Sequence, residues 1–183
     1  MRTKEELSRK RRSAANRGQE LQDALDEIHA SYALGGSAYI VRTSAPMQIT
    51  QRLAGGKFVA FFEGSGPPDY IGVAQGVAYL FDAKEHKGKA LPLGAIVEHQ
   101  ARALDTAQDN GTVCGIVVDL PDLSAAWWVP WTRLGPTWWG WFGIKRAAPG
   151  TGSLDKDRLD DLGVRLLGLD WLPAAQMSMK EAA

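Results

Sequence analysis

Cysteine is almost missing from this chain. Cys114 stands alone, so no internal disulfide can form and no thiolate cluster exists to hold zinc; a reducing, cytoplasmic compartment is the expected setting. Long apolar runs are missing as well. None approaches the roughly 18 residues needed to cross a bilayer, and the basic N-terminal stretch leads into no apolar segment of the secretory type, so no membrane partner is expected. Net charge is absent too, with 21 Lys and Arg against 21 Asp and Glu. What remains is ordinary for a soluble globular protein: 45% apolar and 23% charged residues in a chain of 183. That composition excludes a wholly disordered chain, a collagen-like repeat and a coiled-coil rod. One domain is expected at this length, and it can bury about 70% of its unfolded surface without staples.

The zero charge is a cancellation. Residues 1–20 carry seven basic and three acidic side chains, whereas 154–183 carry four basic and six acidic. A basic arm, with Arg11, Arg12 and Arg17 among its charges, can grip phosphates; it can equally be a solvated tail. The expected organisation is a flexible arm over 1–15, one domain over 16–176, and a short tail over 177–183.

Apolar spacing at Leu21, Ala24, Leu25 and Ile28 predicts a helix over 13–34, ended by Gly35-Gly36. Strands are predicted at 37–42, 58–62, 69–74, 77–84 and 112–119. The polar stretch 43–57, with Pro46 and Gly55-Gly56, reads as a projecting connection. Leu93, Val97, Ala101 and Leu104 predict a helix over 93–107. The runs 125–131 and 138–144 read as short strands, and 154–162 as an amphipathic helix capped by Ser153. This order predicts an α/β fold with helices around one mixed sheet.

Chemistry concentrates in 66–84. If 69–74 and 77–82 form a hairpin turning on Gln75-Gly76, then Ala74 faces Val77, Gly72 faces Tyr79 and Tyr70 faces Phe81. Asp69 then sits opposite Asp82, with Cβ atoms roughly 5 Å apart. Lys84 emerges on the same face as Asp82, two residues on, while Tyr79, Phe81 and Ala83 point the other way into a core. Like charges so placed repel unless compensated. A divalent cation is one compensation, since hard Mg²⁺ prefers carboxylates, carbonyls and water. A cation so held activates water and neutralises phosphate charge, and Lys84 could orient that water or stabilise the transition state. The alternative is structural: Asp69 caps a turn after Pro67-Pro68, and Asp82 and Lys84 form a surface ion pair.

Pro68-Asp69, followed thirteen positions later by Asp82-Ala83-Lys84, resembles the PD-(D/E)xK nuclease signature. The wider context is more specific. DYIGV, YLFDAKEHKGKALPL and the EHQ of Glu98, His99 and Gln100 closely resemble the RecU-type Holliday-junction resolvases, as do Asn16-Arg17-Gly18 and Ala45-Pro46. The likeness runs over about 16–119 and more weakly over 154–172. It implies a restriction-endonuclease-like mixed β-sheet flanked by helices. It further implies a homodimer that cuts four-way junction DNA in a Mg²⁺-dependent reaction, with Mn²⁺ a possible substitute. By the same resemblance Asp69, Asp82, the Ala83 carbonyl and Gln100 hold the metal, and Lys84 stabilises the transition state. The family projects a stalk from the region matching 43–57, which would make Arg42, Arg52 and Lys57 phosphate contacts. Three departures stand out: Asp82 where Glu is usual, Pro67 where a Thr is frequent, and Gln22 near a usual helix Glu, for which Glu20 or Asp23 could substitute.

Other features have plainer readings. Lys87 and Lys89 form a basic loop suited to scissile-strand phosphates or simply solvated, with Gly88 permitting close backbone approach. His86 and His99 have no neighbour at metal-ligand spacing, and His99 reads as a helix residue that packs or meets DNA. Six of the seven Trp residues fall between Trp127 and Trp141. They are expected in core packing or a dimer interface, with base stacking the alternative.

Overall fold

The computed structural model describes residues 4–62, 64, 66–147 and 152–180, with backbone alone for 4–17, for Phe62 and for 144–147. The elements follow in chain order as α1 (Lys4–Leu34), β1 (Tyr39–Arg42), β2 (Met47–Arg52), β3 (Phe58–Phe62), β4 (Tyr70–Ala74) and β5 (Val77–Glu85). Then come β6 (Ala90–Pro92), α2 (Glu98–Asp109), β7 (Val113–Leu120), β8 (Ala125–Pro130) and α3 (Trp131–Ala147). The chain ends with β9 (Ser153–Asp155), α4 (Lys156–Leu162), β10 (Val164–Arg165) and α5 (Leu172–Lys180).

Six strands form one sheet in the order β1-β4-β5-β7-β8-β10. Its neighbours are antiparallel except β5 and β7, which run parallel. The expected α/β class, a mixed sheet between helices, is the one observed. The period-2 alternation of the strands divides the interior in two. Tyr79, Phe81 and Ala83 of β5 pack under α1 and α5 with Leu21, Leu25 and Trp171. On the opposite face Ile116, Val118, Trp127 and Val129 pack against α2 and α3 through Leu104, Trp131 and Trp138. Each such side chain withdrawn from water contributes about 1.5–3 kcal/mol before entropy is charged against it.

The β4–β5 hairpin has the expected register: Ala74 pairs with Val77, Gly72 with Tyr79 and Tyr70 with Phe81. Gln75 and Gly76 turn with φ of +50° and +80°, the doubly left-handed geometry that matches strand twist in a two-residue loop. Farther along the sheet, Gly115 of β7 lies beneath the Trp128 indole. A Cβ there would come within 2.5 Å of the ring, so only glycine admits this close approach.

Several boundaries differ from expectation. The backbone of α1 is helical from Lys4, so the helix runs through most of the expected arm. The stretch 43–57 is not a plain connection: β2 pairs with β3 as a separate two-stranded ribbon, and both strands are solvent-facing because neither packs on the sheet. The expected helix over 93–107 is a short 3₁₀ turn followed by α2. The run 138–144 is helix, not strand. Trp138 and Phe142 stack with centroids 4.7 Å apart, a contact made at i, i+4 spacing. A continuous apolar run does not distinguish a buried strand from a buried helix. The helix expected from Leu154 begins at Lys156, capped by Asp155 rather than Ser153. The Asp155 carboxylate accepts from the Arg158 N–H at 3.0 Å, and 153–155 pair with β6 instead. α5 extends through the expected tail to Lys180. The Trp residues serve packing: Trp127, Trp128, Trp131 and Trp138 are buried, and the Trp131 and Trp139 indoles both donate to Asp105 at 2.6 Å.

Candidate active site

The β4–β5 hairpin carries two carboxylates to the end of the sheet beside α1. Asp69 lies one residue before β4, and Asp82 sits within β5. Their contact runs through the backbone: the Asp69 N–H donates to Asp82 Oδ1 at 3.3 Å, and the Ala83 N–H donates to Asp69 Oδ2 at 3.0 Å. Each acid is thus held by the neighbouring strand, which fixes their mutual position.

Asp82 is fully buried. Oδ1 also accepts from Gln100 Nε2 at 2.8 Å. Oδ2 forms an ion pair with the Lys84 ammonium and accepts from no other donor among the described residues. Burial pushes the Asp82 carboxyl well above the ordinary carboxylate range. Lys84 pulls it back and the charge of Asp69 pushes it further up. Lys84 Nζ also donates to Gln100 Oε1 at 3.2 Å, so the Gln100 amide bridges acid and base. The phase of α2 makes this possible, because Gln100, Ala101 and Leu104 share its buried face.

Asp69, Ala83 and Lys84 open onto a cavity of about 510 Å³, lined also by Gly18, Gln22, His86 and Lys87. Among the described residues, no cluster of three His, Cys, Asp or Glu could hold a metal by itself. Among the described residues, the further oxygens near the two carboxylates come from the backbone and the Gln100 amide. The donor set still fits a hard divalent ion: two carboxylates side by side, one with a buried oxygen countered only by an ammonium, and an amide oxygen next to them.

The other expected residues are less uniform. Lys87 is exposed at the cavity and Lys89 is exposed two residues on, and Arg52 and Lys57 are exposed in the 47–62 ribbon segment. Arg11, Arg12 and Arg17 lie on the first half of α1, whose side chains fall outside the described residues. Arg42, expected at a phosphate, is paired within the protein. Its guanidinium lies 3.0 Å from Asp26 and 3.4 Å from Asp23, and Tyr70 Oη joins them by donating to Asp26 Oδ1 at 3.1 Å. Asp23 pairs with Arg42; among the described residues neither it nor Glu20 lines the cavity, whereas Gln22 of α1 does. His99 is exposed on α2. Sequence reasoning missed the Asp26–Arg42–Tyr70 brace, because its members come from α1, β1 and β4. Spacing within any one segment gives no sign of it.

The family model for Recombination protein U matches residues 16–157. This chain belongs to the RecU family. It is 30% identical over 155 residues to the Holliday junction resolvase RecU of Geobacillus kaustophilus, covering 81% of this chain and 75% of that one. It is 29% identical over 167 residues to the Bacillus pumilus RecU, covering 88% and 78% of the two chains. An Archaeoglobus fulgidus Holliday junction resolvase, Hjc, superposes with a TM-score of 0.44 at 15% identity, over 78% of this chain and 90% of that chain. The RecU match spans both carboxylates, Lys84 and Gln100.

Proposed function

We propose that this RecU-family chain is a structure-selective endonuclease that resolves four-way DNA junctions by paired phosphodiester hydrolysis. The observation carrying this reading is one hydrogen-bonded cluster of Asp69, Asp82, Lys84 and Gln100, of which Asp69 and Lys84 open onto the cavity. Asp69 and Asp82 would hold Mg²⁺, or Mn²⁺ in its place, with the Ala83 carbonyl and the Gln100 amide oxygen as further ligands. Bound there, the cation supplies an activated water and neutralises charge on the phosphate. Lys84, held beside Asp82, places its ammonium where negative charge grows as the phosphoryl group is attacked. Gln100 fixes Asp82 and Lys84 relative to each other.

Lys87 and Lys89 line the path of the scissile strand, while Arg52 and Lys57 give the β2–β3 ribbon its phosphate contacts. The arginines of α1 add to the grip, and Arg42 acts as a strut that seats α1 against the sheet. Resolution needs two opposed cuts, so a two-fold pair of chains matches the symmetry of the substrate. Tyr39, Val41, Ile71 and Val73 support such pairing. They are exposed apolar side chains of β1 and β4 whose register puts Tyr39 across from Val73 and Val41 across from Ile71.

The test compares a mobile four-way junction, a nicked duplex and a linear duplex, each with and without Mg²⁺. Symmetric paired nicks in the junction alone, leaving 5′-phosphate and 3′-hydroxyl ends only with the cation, are the expected result. Equal cutting of the linear duplex overturns the resolvase reading.

A further inference from the structure

We infer that His86 is a substrate-positioning residue of this cleft, its imidazole donating to the phosphate adjoining the scissile one. The inference rests on the reading of Asp69, Asp82 and Lys84 as the cleavage site. Asp82 and Lys84 occupy alternate positions on one face of β5, and His86 is the next residue in that phase. The assigned strand stops at Glu85, yet the ladder continues, because the His86 N–H donates to the Asp119 carbonyl of β7 at 3.0 Å. The two-residue period therefore persists through His86 and brings its side chain into line with the catalytic pair.

Each such step advances about 6.6 Å along a strand, a distance of the order that separates neighbouring phosphates of one DNA strand. A phosphate held at Lys84 thus brings its neighbour to His86. The ring lines the same cavity as Asp69, Lys84 and Lys87 and is half-buried. It lies against Gly88, where a Cβ would stand 3.5 Å from both Cδ2 and Nε2. Gly88 has a φ of +135°, a backbone region that side chains other than glycine's adopt only under strain. The loop so shaped lies against the Cδ2–Nε2 edge of the imidazole. Among the described residues no metal-holding His, Cys, Asp or Glu cluster includes His86, so the ring is read as a hydrogen-bonding group and not as a ligand. Even a neutral imidazole keeps one N–H for that purpose.

Equilibrium binding of a fluorescent four-way junction tests this with the full chain, His86→Ala and His86→Gln. Each protein is assayed on junctions carrying a single neutral methylphosphonate on one or the other side of the scissile phosphate. His86→Ala is expected to weaken binding about tenfold, the effect of one lost hydrogen bond to a charged group. His86→Gln, which keeps a donor, should restore most of that loss. One of the two methylphosphonates should weaken the wild-type chain by a similar factor and leave His86→Ala unaffected. Saturated single-turnover cutting should change far less than binding, and the melting temperature not at all. Unaltered affinity of His86→Ala overturns the inference, as do methylphosphonate penalties equal in both proteins. Junction binding without any cutting by the wild-type chain would instead overturn the nuclease reading, while the binding comparison still decides the role of His86.

Discussion

Asp82 owes its properties to its burial and to Lys84, Gln100 and Asp69 around it. Its carboxylate is shut off from bulk solvent, and Lys84 and Gln100, which face it, can each be removed by mutation. Asp82→Asn keeps the volume and removes the charge, so junction cutting should vanish in a nicking assay while junction binding survives in a gel shift; full activity would refute the assigned site. Lys84→Ala should lower the cutting rate by about 10²–10³-fold, the usual cost of removing a group that stabilises transition-state charge. His29 carries a different kind of consequence. Burial foremost, and the nearby Arg42 charge, depress its pKa from 6.5 to about 4, and its Nε2 accepts from the Trp171 indole at 3.0 Å. The unfolded chain takes up this proton near pH 6.5, whereas the folded chain resists it until about 4. Stability is therefore fully present above that window and lost as pH falls through it. Melting temperatures across this range should fall less steeply in His29→Gln than in the wild type. In the same cluster, Gly115→Ala should cost about 1–3 kcal/mol in a denaturant titration, since the Trp128 ring must move.

Among the elements, the β4–β5 hairpin was readable from sequence because everything that defines it is local. A turn dipeptide, alternating apolar residues and two acids at matching distances from the turn together set register and face. Gln100 was legible through the resemblance, and its phase with Leu104 puts it on the buried side of α2. β3 was readable as a strand over 58–62, but its pairing with β2 in a ribbon and the helix α3 were not, for opposite reasons. The ribbon is exposed on both sides, so its residues follow no inside–outside alternation. α3 is so rich in tryptophan that its buried stripe merges with its flanks. The ribbon's ends meet at the sheet: the Thr43 hydroxyl donates to the Pro68 carbonyl at 2.6 Å, and the Thr43 N–H donates to the Asp69 carbonyl at 2.8 Å. None of the ribbon's described residues belongs to the buried core. Replacing 46–65 by a short Gly-Ser bridge should therefore leave the melting temperature within a few degrees. Selectivity for junctions over duplex, measured by competition binding, should fall.

For the whole molecule, the apolar patch on β1 and β4 and the scattered basic groups make separate demands. Ile71→Glu buries a charge if two chains meet on this face. It should convert a dimer to a monomer in sedimentation at micromolar concentration, with the monomer still folded. Binding to DNA by a chain of zero net charge must come from local groups. The logarithm of the junction association constant should fall linearly with the logarithm of salt concentration, with a slope of about −0.9 for each phosphate neutralised.

The parallel pairing of β5 with β7 has a consequence for the order in which the molecule becomes competent. Asp69 and Asp82 meet in a hairpin whose contacts span few residues and form early, whereas Gln100 arrives on the crossover helix only once β7 has docked beside β5. Non-local strand pairing of that kind is the slow part of folding. A nascent or partly unfolded chain thus holds its two acids together without the amide that sets Asp82 and Lys84 in register. The capacity to cut DNA is then among the last properties gained on folding and among the first lost on unfolding.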